Sequence, residues 1–146
     1  VRGVEEELQA ARDLLLRGAR ERPEWRKARE TEHRLHKLAL DRCTEVADWL
    51  RQEVAYPDYF VLGDERYVGV QLGPIAGLTI DFSSGWQFRG LIEVKARFTR
   101  NGATEWSGPL FFINYREPTE HAEKRFRPWL EEALAQGLRE WRKTLA

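Results

Sequence analysis

The spacing of apolar positions along this chain changes period twice. Val4, Leu8, Ala11, Leu14 and Leu15 recur at three- and four-residue intervals, which places them on one side of a helix. Gly18 and Pro23 interrupt that helix. From Pro23, a residue suited to a first helical turn, a second helix is predicted to reach about Val54, its stripe formed by Leu35, Leu38, Ala39, Cys43, Val46, Trp49, Leu50 and Val54. The front half of that helix shows no stripe. Residues 20–37 carry seven basic and four acidic side chains, with Glu30 and Arg34 at the stabilising four-residue spacing. A helix so polar all round is expected to project from the body or to lie on a partner.

After AYPD at 55–58 the period falls to two. YFVL (59–62) and RYVGVQL (66–72) read as a hairpin, AGLTIDF (76–82) as a third strand, and GLIEVKARFTR (90–100) as the longest strand. Asn101-Gly102 is a strong hairpin signal, because both central residues of a type I′ turn need positive φ. A fifth strand is predicted from Trp106 to Tyr115, with Gly108 and Pro109 marking a bulge or an edge near its start. In the last stretch Thr119 is expected to cap a short turn and Pro128 to start a helix with the stripe Phe126, Trp129, Leu130, Ala133, Leu134, Leu138, Trp141 and Leu145. This order predicts an α+β fold: N-terminal helices, an antiparallel meander of about five strands, and a C-terminal helix packed on one sheet face. At 146 residues the chain is expected to form one domain, with a helical arm at 1–54, the sheet at 55–117 and the last helix at 118–146.

Composition narrows the function classes. Lys and Arg number 24 against 24 Asp and Glu, so no global field draws the chain to nucleic acid or to an anionic membrane. The single Cys43 allows no internal disulfide, and no apolar run is long enough for a secretory core or a membrane span. A soluble cytoplasmic protein is expected. The absence of Met, the few Asn and the preference for Arg over Lys fit a high-temperature source.

The chemistry gathers on the central strands. In LIEVKARF, Glu93, Lys95 and Arg97 alternate with Ile92, Val94, Ala96 and Phe98, and in the preceding strand Asp81 alternates with Ile80 and Phe82. Antiparallel pairing then puts Asp81 beside Glu93 on the polar face, directly opposite or one diagonal away. Two carboxylates so placed need Lys95 and Arg97, water or a divalent cation to relieve their repulsion. An acid followed by Glu-x-Lys on a later strand resembles the core signature of the PD-(D/E)xK nucleases. That resemblance implies Asp81 and Glu93 as ligands of Mg or Mn, Lys95 as catalytic lysine, and a helical acid, Glu45 or Glu53, as a further contributor. Against it, Asp81 lacks the preceding Pro, and Asn101-Gly102 leads the strand into another strand rather than into a helix. A solvated sheet face with no metal, no cofactor and no catalytic set is the favoured reading.

The same turn aligns Arg97 with Trp106 and Phe98 with Glu105 if its loop has two residues. Either a bulge near Gly108 resets the register and half-buries Trp106, or Trp106 stacks on Arg97 in the open as a contact point for a partner. His33, His36 and Cys43 share a helical spacing suggestive of metal, but Cys43 belongs to the apolar stripe and the histidines to the wettest stretch, so a core thiol and solvated rings are the better account. His121 stands alone. Arg22, Arg26, Arg29 and Arg34 recur along the basic helix and offer a path for a phosphate backbone, although interleaved glutamates favour a protein surface. These observations point to a non-catalytic interaction or regulatory module that docks on a larger protein or complex through Lys95, Arg97, Trp106 and the four helical arginines. Transcription or mobile-element machinery would suit such an adaptor. The alternatives are the divalent-metal nuclease and a nucleic-acid-binding accessory protein.

Overall fold

The computed structural model describes residues 3–20, 23–54, 59–83, 91–114 and 116–145. Two helices, α1 (Val4–Arg20) and α2 (Pro23–Val54), precede the strands β1 (Tyr59–Gly63), β2 (Tyr67–Leu72), β3 (Ala76–Ser83), β4 (Leu91–Arg100), β5 (Ala103–Ser107) and β6 (Phe111–Asn114), and α3 (Thr119–Thr144) closes the chain. The fold is α+β. Strands β1 to β5 form an antiparallel meander, and β6 pairs with the first half of β4 along the edge whose second half β5 occupies.

Strict alternation sorts the sheet into two faces. Val68, Val70, Leu78, Ile80, Val94, Ala96 and Phe98 are buried on one of them, and α2 and α3 cover that face. An aromatic group joins α3 to the sheet: Phe126 packs its ring on Phe82, Phe111 and Trp129. Helices α2 and α3 run parallel, as their contacts advance together along both: Thr31 meets Thr119, Arg34 pairs with Glu123, and Arg42 with Glu131.

Three expectations from the periodicity need correction. The strand predicted from Trp106 to Tyr115 is two strands, because Gly108-Pro109-Leu110 breaks the ladder between them. Pro128 does not start a helix but lies inside α3, which begins at Thr119. Its missing N–H costs one helical bond, while Phe126 and Leu130 on either side are anchored in the core. Third, the front of α2 does not project. Ala28, Thr31, Glu32 and Leu35 are buried, and the hydroxyls of Thr31 and Thr119 share a buried hydrogen bond of 2.9 Å. Small and polar residues carry this contact, so no hydrophobic stripe announces it.

In contrast, α1 is barely covered. Val4, Leu8 and Leu15 are 76%, 63% and 74% exposed, although their spacing is the one that marks a buried face.

Candidate functional site

The polar sheet face has the composition the alternation predicts, and its register decides what those residues do. Asp81 lies directly opposite Lys95, Thr79 opposite Arg97 and Ser83 opposite Glu93, so Asp81 and Glu93 are diagonal neighbours. Arg97 bridges the face: its Nε donates to Asp81 Oδ2 at 2.7 Å and a terminal nitrogen donates to Oδ1 at 3.4 Å. Thr79 donates a third bond to Oδ2 at 3.2 Å. Both carboxylate oxygens of Asp81 are therefore held by protein donors, and the guanidinium supplies the neutralising charge for which a cation was the alternative. Glu45 and Glu53, the helical acids a nuclease site would recruit, sit on α2 behind the opposite face of the sheet. Among the described residues no group of three His, Cys, Asp or Glu has the arrangement of a metal site.

Trp106 is not on this face. Asn101 and Gly102 adopt the positive φ of the expected turn, 55° and 78°, and Arg100 pairs with Ala103 and Thr99 with Thr104. The register then shifts: Phe98 lies opposite Trp106 and Arg97 opposite Ser107. Without that bulge Glu105 would face Phe98 in the core, at the desolvation cost of a buried carboxylate. With it, Glu105 accepts a 2.8 Å bond from Arg100 and the Trp106 ring packs half-buried against the core. Of the two arrangements the sequence allows, the shifted register holds, with the shift at Glu105 rather than near Gly108. Gly108 instead makes room for the ring, since a Cβ there would sit 2.8 Å from Trp106. Trp106 is thus not the neighbour of Lys95 and Arg97 that an unshifted register would have made it.

Of the helical arginines, Arg29 and Arg34 have different surroundings. Arg34 binds Glu123 of α3 at 2.6 Å, whereas Arg29 borders a cleft beside the β1–β2 turn, on another flank of α2. Arg26 is exposed, and Arg22 lies outside the described residues.

Two other features stand out. The first is that cleft, about 670 Å³, between the front of α2 and the turn at Asp64 and Glu65. His33 and His36 line it together with Glu32, and Cys43, which shares their helical spacing, is buried in the core with its thiol pushed up to about 12 by burial. The second is an apolar groove of about 560 Å³ between the C-terminal halves of α2 and α3. Val46, Trp49, Leu138, Trp141 and Leu145 line it, and Trp49 is 60% exposed at its mouth. Sequence periodicity places these residues on the helical stripes but reads them as core. The groove depends on how the two parallel helices sit against each other at this end, and no local pattern encodes that.

No known protein family, curated protein or solved structure matches this chain. No described helix is long and apolar enough to cross a membrane.

Proposed function

We propose that the chain is a non-catalytic interaction module whose contact surface is its helical layer, and that the first partner this surface takes is a second copy of the chain. One observation carries the reading: among the described residues α1 exposes its apolar stripe, and an apolar groove lies open between α2 and α3. Val4, Leu8, Ala11 and Leu15 of α1 follow the alternating four- and three-residue spacing of a helix–helix seam. The groove is bounded by two parallel helices, which is the setting in which an amphipathic helix lays its apolar stripe.

In a straight fold-back the stripe of α1 stops short of the apolar lining of its own chain's groove at Val46 and Trp49. If α1 folded straight back along α2 from the junction at residues 21 and 22, Val4 would come level with about residue 39. Trp49 lies ten residues farther on, roughly 15 Å at 1.5 Å per residue. A second copy has no such limit, and reciprocal exchange of α1 gives a closed two-fold dimer. Of the charged residues on the groove rim, Arg42 is already paired with Glu45 and Glu131, so Arg142 is the one that would meet Glu5, Glu6 and Glu7 in the first turn of α1. In such an assembly the open sheet face with Lys95 and Arg97 stays available to a larger partner.

Sedimentation equilibrium of the full chain tests this. The wild-type chain is expected to dimerise. Leu8→Glu with Leu15→Glu, and separately Trp49→Glu, should each weaken association by about 2 kcal/mol or more, roughly thirtyfold. Mixing the two variants restores one of the two contacts, so the mixture should associate more strongly than either variant alone. A wild-type chain that stays monomeric at every concentration, or a mixture no better than its components, would overturn the proposal.

A further inference from the structure

Glu32 is 7% exposed, and its Oε2 is buried without a hydrogen-bond partner among the described residues. A carboxylate oxygen so placed is costly, since its lost hydration is replaced by nothing. It lines the charged cleft between α2 and the β1–β2 turn. The surroundings are ordered by ordinary folding interactions. Asp64 turns the chain by accepting the backbone N–H groups of Arg66 and Tyr67 at 2.7 and 3.1 Å. Its own carbonyl accepts a 2.6 Å bond from Nε2 of His36, whose ring leans on Phe82 with centroids 5.5 Å apart. That bond places the His36 proton on Nε2 and leaves Nδ1 as an acceptor in the neutral ring. Around this frame stand Glu30 and His33 from α2 and Glu65 from the turn, with Arg29 one helical turn before Glu32.

The charge of the cleft is lopsided. Four carboxyl groups, those of Glu30, Glu32, Asp64 and Glu65, face one guanidinium and two imidazoles. The complement of a buried acceptor in an acidic cleft is a cation that brings hydrogen-bond donors. A bare metal ion fits less well, since the described residues offer no three-ligand arrangement.

We propose that this cleft binds an organic cation bearing N–H donors, an ammonium or guanidinium group, whose hydrogens complete the buried Glu32 carboxylate. The site is independent of the helix exchange proposed above, because it lies at the opposite end of α2 from the groove. Burial holds the Glu32 carboxyl above its ordinary range. A cation that pairs with the ionised form opposes that shift, so binding tightens as pH rises through the carboxyl's range.

Isothermal titration of the full chain with methylguanidinium, n-butylammonium and tetramethylammonium chlorides tests the proposal. The first two should bind saturably, and more tightly as pH is raised. Tetramethylammonium, charged but without donors, should bind at least about tenfold more weakly. Glu32→Gln should lose about tenfold or more for the N–H cations. If that variant does not fold, the ring proton signals of His33 and His36 in the wild-type chain still report where the ligand sits, and they should move on titration. Methylguanidinium compared with a blocked tripeptide centred on arginine separates a free small molecule from a protein side chain as the natural source, and either order of affinity supports the site. Absence of saturable binding, equal binding by tetramethylammonium or by Glu32→Gln, or unmoved histidine signals would overturn it.

Discussion

The buried hydroxyl pair that seats the front of α2 allows a quantitative test of why a stripe-free helix docks. Thr31 and Thr119 lie 88 residues apart, are almost wholly buried, and meet at 2.9 Å. Valine conserves the shape of threonine and removes only the hydroxyl. In Thr31→Val the Thr119 hydroxyl, in the first turn of α3, loses its partner, and a buried polar group so orphaned costs about 1–3 kcal/mol. In Thr119→Val the Thr31 hydroxyl can rotate back to the carbonyl one turn earlier in its own helix, as threonines in helices do, so the loss should be smaller, about 1 kcal/mol. Removing both leaves no orphan. The double variant should therefore be less destabilised than the sum of the singles, with a coupling of roughly 1 kcal/mol. Urea unfolding followed by circular dichroism measures all three, and for a chain of this size each 1 kcal/mol corresponds to a few degrees in Tm. Additive single effects, equal within about 0.5 kcal/mol, would show that the hydroxyls act separately and would refute the account of α2 docking.

Two further outcomes probe the sheet and the α3 junction. Gly69→Ala should destabilise by roughly 3 kcal/mol or more, because a Cβ there would stand 2.3 Å from the Leu78 carbonyl oxygen and 3.0 Å from the Thr79 Cα. Both are backbone atoms of the neighbouring strand and cannot swing aside; Gly63→Ala, with its nearest contact at 3.4 Å, is the control and should cost far less in the same urea titration. Glu117 accepts bonds from Arg125 and from His121, and the Arg125 bonds in particular hold its carboxyl below the ordinary value of 4.5. A carboxyl with a depressed folded-state pKa contributes stability that is complete above the unfolded value and is lost as pH falls through the folded one. Glu117→Gln should accordingly lower Tm near neutral pH and flatten the loss of stability below about pH 4.5, and an acid limb as steep as that of the wild type would contradict this role.

Much of the architecture was legible in the order of residues. Alternation from Leu78 to Phe82 and from Ile92 to Phe98 specifies which side chains share a face, because a strand offers only two. Asn101-Gly102 specifies the hairpin because few residue pairs accept positive φ in succession. The helical stripes after Leu35 and Phe126 were equally plain. The position of Trp106 was open, since one extra residue in the strand flips every later side chain, and the choice rests on whether Glu105 meets Phe98 or solvent. That is a property of the paired strand.

What hydropathy could not mark is where small and polar residues become buried. Ala28, Thr31 and Glu32 lie in the interior because α3 and the β1–β2 turn come close to them, and Gly137 of α3 because Leu78 of β3 packs against it; a residue of low or no hydrophobicity carries no sign of what will approach it. The reverse holds for Leu8, Leu15 and Trp49, whose apolar side chains predict burial that this chain alone does not provide. Local order thus determined most of the elements, their faces and the tight turn, for these depend on backbone geometry and on polarity repeated at short range. The tertiary structure alone decided the strand shift at Glu105, the seating of α2, the burial of Glu32 and the open groove. The first depends on pairing across a hairpin, and the others on distances between segments tens of residues apart.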